Sequence, residues 1–144
     1  MTSTYTVTNA TKGMLSTDLQ AAKAASITGI NRQYADTVTA PGSAGTPTSL
    51  FTVGTEEGAK FADFAYARIE NLDSAATLKL GLVTGTTIAQ IEIPAGRVFE
   101  IHTKNMFVSD SAASFGSATA ITAVKAISAT TSPIEVAVVV LATS

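Results

Sequence analysis

The sequence predicts an all-β chain: an antiparallel β-sandwich of jelly-roll kind, preceded by an extended N-terminal arm that holds one short helix. Three observations carry this. From Phe64 to Ile101 the chain repeats one pattern, a run of alternating or β-branched residues followed by a turn (FAYARIEN, LDSA, ATLKLGLV, TGT, TIAQIEI, PAG, RVFEI). The final strands are reached only after a long Ser/Ala-rich connection, which suits a crossover between two sheets. Helical signal is confined to one stretch near the N-terminus.

Taken in order, Thr4 to Thr8 (TYTVT) alternates as a short strand with Tyr5 and Val7 on one face, without an evident partner nearby. Thr17 and Gln20 have capping-box spacing, and Leu19 to Ala25 (LQAAKAA) is a run of good helix formers, enough for two or three turns. Ile27, Ile30, Tyr34 and Val38 follow without a clear period. Ala40 to Ser49 (APGSAGTPTS) concentrates loop formers, so the boundary falls there, with residues 1–47 as arm and 48–144 as β-sandwich domain, the alternative being that the arm supplies edge strands to its own sandwich.

Ser49 to Val53 (SLFTV) opens the sandwich. In the central region Leu78, Leu80 and Leu82 share one face of a period-2 element, as do Ile91 and Ile93 against Gln90 and Glu92. Asn71, Asp73 and Ser74 are turn formers, Thr84-Gly85-Thr86 suits a tight hairpin, and Pro94-Ala95-Gly96 suits a type I-like turn starting at Ile93. Such short turns predict that sequential strands pair antiparallel. Asn105 to Ala118 reads as the long crossover, Ala120 to Ser128 as a strand, and Ile134 to Leu141 as a central strand with apolar residues on both faces after Glu135.

Composition narrows the function. Charged residues make up 14% of the chain, well below the roughly 25% of an average globular protein, and Ala, Thr and Ser (25, 23 and 13 residues) dominate. A surface so short of charge is either clad in Thr and Ser or covered by partners. The nine Lys and Arg are scattered singly in a chain of net charge −2, so no phosphate-neutralising face is offered and nucleic acid is not an expected partner. The longest apolar run, Val136 to Ala142, is too short to span a bilayer, and the first residues lack the features of a secretory signal, so synthesis in the cytoplasm and no membrane partner are expected.

Catalytic motifs are absent from the sequence. His102 is the single histidine, within IHTK, without a nucleophile elbow or an HExxH pattern, and with no Cys the usual zinc ligand set cannot be assembled. Glu56 and Glu57 sit in a polar turn; Glu70 and Asp73 flank another, where capping explains them better than calcium binding. Neither phosphate-loop pattern occurs. The expectation is no enzyme, no cofactor and no metal.

The stretches IENLDSAATLKLGLV, IEIPAGRVFEI and AVKAISATTSPIEVAVVVLA resemble the small jelly-roll virion proteins of tailed bacteriophages, over Ala65 to Leu141. Within that group the resemblance is to a capsid decoration, or cement, protein. It implies a subunit on the outside of a phage head, commonly a homotrimer, whose partners are itself and the major capsid protein. It also implies adhesion through the arm, with Leu15, Ile27, Ile30 and Tyr34 filling grooves on a partner. Alternatives are another virion part, such as a tail or head-fibre base protein, and a carbohydrate- or receptor-binding β-sandwich module; no Trp and a scatter of six Phe and three Tyr give the latter no visible platform.

Overall fold

The computed structural model describes residues 3–10, 22–54, 60–108 and 116–142. The elements are β1 (Ser3–Ala10), β2 (Ala22–Ile30), β3 (Arg32–Ala40), β4 (Thr48–Val53), β5 (Lys60–Phe61), β6 (Phe64–Asn71), β7 (Leu78–Thr84), β8 (Thr87–Ile93), β9 (Val98–Ile101), β10 (Asn105–Met106), β11 (Thr119–Ala120), β12 (Ala123–Ser128) and β13 (Ile134–Ala142). One sheet has the order β3-β13-β6-β9, the other β5-β4-β12-β7-β8, and β1-β2 and β10-β11 form separate two-stranded ribbons. Every pairing is antiparallel except the short parallel contact of β4 with β5.

Leaving β5 aside, the two sheets are matched strand for strand, since β3 runs into β4, β6 into β7, β8 into β9 and β12 into β13, each time from one sheet to the other. Eight strands wound this way form a jelly roll. Short turns are therefore mostly crossovers: among these strands only β7 and β8 are joined as a hairpin, through the two-residue loop Gly85-Thr86. Expecting every short turn to make a hairpin fails because strands buried on one face only can also be joined over the open end of a sandwich. The Pro94 turn is one of these crossovers. It lies one residue later than the sequence suggests, closed by the Arg97 N–H donating to the Pro94 carbonyl at 3.1 Å. Its third residue, Gly96, has φ +65°, the left-handed conformation that a type II turn demands there.

Period-2 alternation builds the core. Leu78, Leu80 and Leu82 of β7 are buried, as are Ile134, Val136, Val138 and Val140 of β13, and the two rows meet between the sheets with Leu50, Phe51, Ile69 and Val124. At one end, aromatic rings pack edge to face: Phe51 on Phe64 (5.4 Å between centroids), Phe51 on Phe61 (6.2 Å) and Tyr34 on Phe61 (5.9 Å). The Arg32 guanidinium lies 5.3 Å over the Phe61 ring. These rings tie β5 to β3, β4 and β6.

Two expectations about the N-terminal part change. Ala22 to Ala25, read as helix, lie in β2 and pair with Val7 to Ala10 of β1; the rest of that stretch lies outside the described residues. Helix propensity in an Ala-rich run is a weak preference, and pairing with β1 overrides it. The sandwich also takes in β3, whose nine residues pair along their whole length with β13, so the boundary expected near residue 47 falls in the β3–β4 crossover. Tyr34 and Val38 are the partly buried core-facing residues of β3, but Ala35, Asp36 and Thr37 between them obscure the period.

At the opposite end of β6, Asn71 is fully buried. Its amide donates to the carbonyls of Ala76 (2.8 Å) and Ile93 (3.0 Å), and its Oδ1 accepts from the Asp73 N–H (3.1 Å). Its backbone N–H donates to the Arg97 carbonyl at 3.0 Å. One side chain thus ties the β6–β7 crossover to the end of β8, where the chain turns back towards β9. Asn71→Ala strips two carbonyls of their donor, and we expect a loss of about 2–4 kcal/mol in urea unfolding. A loss under about 0.5 kcal/mol would show that the crossovers hold themselves.

Candidate functional site

His102, the single histidine, lies just past β9 and is half exposed. Its Nε2 is 3.5 Å from Glu100 Oε2, while Glu100 Oε1 accepts the Tyr66 hydroxyl at 2.7 Å, and the Tyr66 and His102 rings meet edge to face at 5.2 Å. β6 and β9 supply these residues side by side on the outward face of the four-stranded sheet. Tyr66 is buried there beneath Ile30, together with Leu141. This arrangement orients Tyr66 and closes one end of the sheet. Among the described residues, no group of three His, Cys, Asp or Glu is placed to hold a metal ion.

The four residues expected to reach a partner are placed as follows. Leu15 lies outside the described residues. Ile27 is in β2, its backbone opposite Tyr5 of β1. Ile30, at the end of β2, is 5% exposed and packs on Tyr66 and Leu141, which fastens the β1–β2 ribbon to the sandwich. Tyr34 is partly buried against Phe61, and its hydroxyl donates to Asp36 Oδ2 at 3.0 Å. Burial first, then the hydrogen bond to Asp36 and the charge on that carboxylate, hold the Tyr34 pKa above its ordinary value of 10.0. Ile30 and Tyr34 therefore face their own chain.

What the sandwich offers outward is shallow. On the four-stranded sheet, Ala35, Asp36, Thr37, Ala137, Val138 and Val139 line an open groove of about 460 Å³. It adjoins the Arg68–Glu70 ion pair (2.7 Å), partly exposed and so worth under about 1 kcal/mol. On the five-stranded sheet, Thr52, Val53, Thr122 and Lys125 line a cleft of about 530 Å³. Strand β8 ends that sheet, and Ile88 on it is 55% exposed. Sequence reading overlooked β8 as a surface, although the parity of Ile88, Gln90 and Glu92 against Ile91 and Ile93 was visible.

The polar turn at Asp73 is a cap. Asp73 Oδ1 accepts the N–H groups of Ala76 (2.7 Å) and Ala75 (2.8 Å), and these bonds, Ala76 first, hold its pKa below the ordinary 3.8.

Two outcomes are expected. His102→Ala leaves the fold intact and shifts the unfolding free energy by under about 1 kcal/mol, because the imidazole is half exposed; loss of folding would assign it a role in the core. For Asp73 the folded pKa lies below the unfolded one, so its contribution is complete above the unfolded value and lost as pH falls through the folded value. In urea titrations from about pH 5 to about pH 2, Asp73→Asn should unfold more easily than the parent at the upper end and converge with it in acid. A constant gap would contradict this.

No protein-family model matches the chain, no curated protein matches its sequence, and no solved structure matches its fold.

Proposed function

We propose that this protein is a non-enzymatic virion component that decorates, or cements, the outside of a bacteriophage capsid by protein–protein contacts. The observation that supports this reading most is the combination of a jelly roll with a β-ribbon, β1–β2, that pairs only with itself among the described strands and is fastened through Ile30. A two-stranded ribbon alone is marginal in water and gains stability when another surface covers it. Its backbone pairs in register from Tyr5 opposite Ile27 to Ala10 opposite Ala22. A composition low in charge suits a subunit that spends its working life against neighbours. Copies repeated on a symmetric lattice then multiply modest contacts into tight attachment. On this reading the partners are the major capsid protein and other copies of the chain, a trimer being the assembly that the resemblance implies.

The reading is tested by mixing the purified chain with phage heads stripped of their outer proteins and following co-sedimentation and added density. The full chain should bind at regular lattice positions. A chain lacking residues 1–29 should keep its cooperative unfolding, since Ile30 and β3 remain, but bind about tenfold or more weakly. Removing residues 1–45 deletes β3 and should cost the fold as well, because β13 loses its partner along nine residue pairs. Failure of the full chain to bind any head would overturn the proposal.

A further inference from the structure

The edges of the two sheets are not alike. Strand β3, an edge of the four-stranded sheet, carries Arg32 and Asp36, and Asp36 pairs with Val138, so a charge sits on a core-facing register position of that edge. An inward charge of this kind is a known deterrent to edge-to-edge pairing. Strand β9 has four residues and β5 two, too short to recruit much. Strand β8 has no such protection. It runs seven residues in unbroken register with β7, without Pro, Lys or a bulge, and Glu92 is its one charge.

The free hydrogen-bonding groups of β8 follow from the hairpin. A two-residue loop is closed by a hydrogen-bonded pair, here Thr84 and Thr87, and such pairs alternate along an antiparallel ladder. Thr87, Ala89, Ile91 and Ile93 therefore bond to β7, and the backbone N–H and C=O groups of Ile88, Gln90 and Glu92 point away from it. Among the described residues no strand lies on that side.

We propose that β8 pairs with β8 of a second copy, antiparallel about a two-fold axis through Gln90. In that register Gln90 meets Gln90 of the second copy, and Ile88 and Glu92 meet that copy's Glu92 and Ile88, so each outward N–H and C=O faces a complementary group. Residue parity is preserved. On the core side Ala89 comes beside the second copy's Ile91, extending the layer formed by Leu80 and Leu82. On the outer side the two Glu92 carboxylates stay apart, and each keeps Lys79 of its own β7 as a cross-strand neighbour. Shifting the axis to Ala89 or Ile91 shortens the overlap and leaves edge groups unmatched. Ile88 is already folded against its own sheet: a Cβ placed on Gly81 would lie 2.5 Å from Ile88 Cδ1, so glycine keeps this outer surface low beside the new strand. The match of the edge to itself is what selects a second copy as the occupant, and two sheets would join into one across the isologous contact.

The pairing is independent of the capsid reading and is tested on the isolated full chain. Sedimentation equilibrium should show a concentration-dependent dimer. Gln90→Lys places two ammonium groups face to face at the axis while leaving an exposed position of the fold unaltered, and it should raise the dimer Kd by about tenfold or more. Because the chain has no cysteine, Gln90→Cys provides a second reading. Opposed residues of a hydrogen-bonded pair have Cα atoms about 5.5 Å apart, within disulfide reach, so mild oxidation should yield a covalent dimer. Thr37→Cys, exposed on β3 of the other sheet, should not. A monomer at all concentrations, equal cross-linking at both positions, or a dimer or trimer that Gln90→Lys leaves unchanged would each overturn the pairing. Binding of the monomer to phage heads would leave the capsid reading standing without it.

Discussion

A jelly roll depends on its crossovers, and in this protein the most consequential contact is made by a polar side chain inside an apolar core. Asn71 bonds to carbonyls near the end of the β6–β7 crossover and at the end of β8, and its own N–H reaches the turn that leads to β9. Buried amides left without partners are costly, so the arrangement is tolerated only when all of these backbone segments come together. That makes Asn71 a specifier of topology: the hydrophobic rows of β7 and β13 would pack in several strand orders, but few orders bring residues 71, 76, 93 and 97 to one point. The second pair of crossovers is tied by backbone bonds, with Ser43 N–H on the Thr130 carbonyl (2.7 Å) and Ser128 N–H on the Pro41 carbonyl (2.8 Å).

Strands that bury one face were legible because period-2 alternation is written directly in the residues, as in Leu78-Leu80-Leu82. What stayed hidden was whatever depends on distant partners. Strand β2 reads as helix because Ala and Lys favour one, and only the complementary β1 makes it a strand. Strand β3 has two partly buried apolar side chains, too few to show a period, and is held by a full-length ladder to β13. Asn71 was recognisable as a turn residue, yet nothing local signals that its amide reaches Ile93, far along the chain.

The same reasoning explains the uneven fate of the expected contact residues. An apolar side chain in a poorly patterned segment reads as a candidate for a partner's groove, but the chain's own surface competes for it. Ile30 and Tyr34 lose that competition, the first to Tyr66 and Leu141, the second to Phe61. Of the apolar residues on the outward face of β13, Leu141 is covered, beneath Ile30, whereas Ala137 and Val139 stay partly open. Ile30 therefore decides two things at once, how the ribbon is attached and how much of the outward face is left for others.

A sandwich, unlike a closed barrel, always has edges. Here one long edge carries an exposed aspartate at a core-facing register position, its oxygens engaged locally by the Tyr34 hydroxyl and the Thr37 N–H. Placing a charge at a core-facing position weakens the sheet slightly, and its benefit appears only if another strand could otherwise add there. Strand β8, of similar length, lacks such a charge and has outward backbone groups placed symmetrically about Gln90, so that its edge can meet its own reversal. A chain that guards one edge and leaves the other complementary to itself has a direction built into its association, and that asymmetry follows from the placement of Asp36 and Gln90 without reference to any partner.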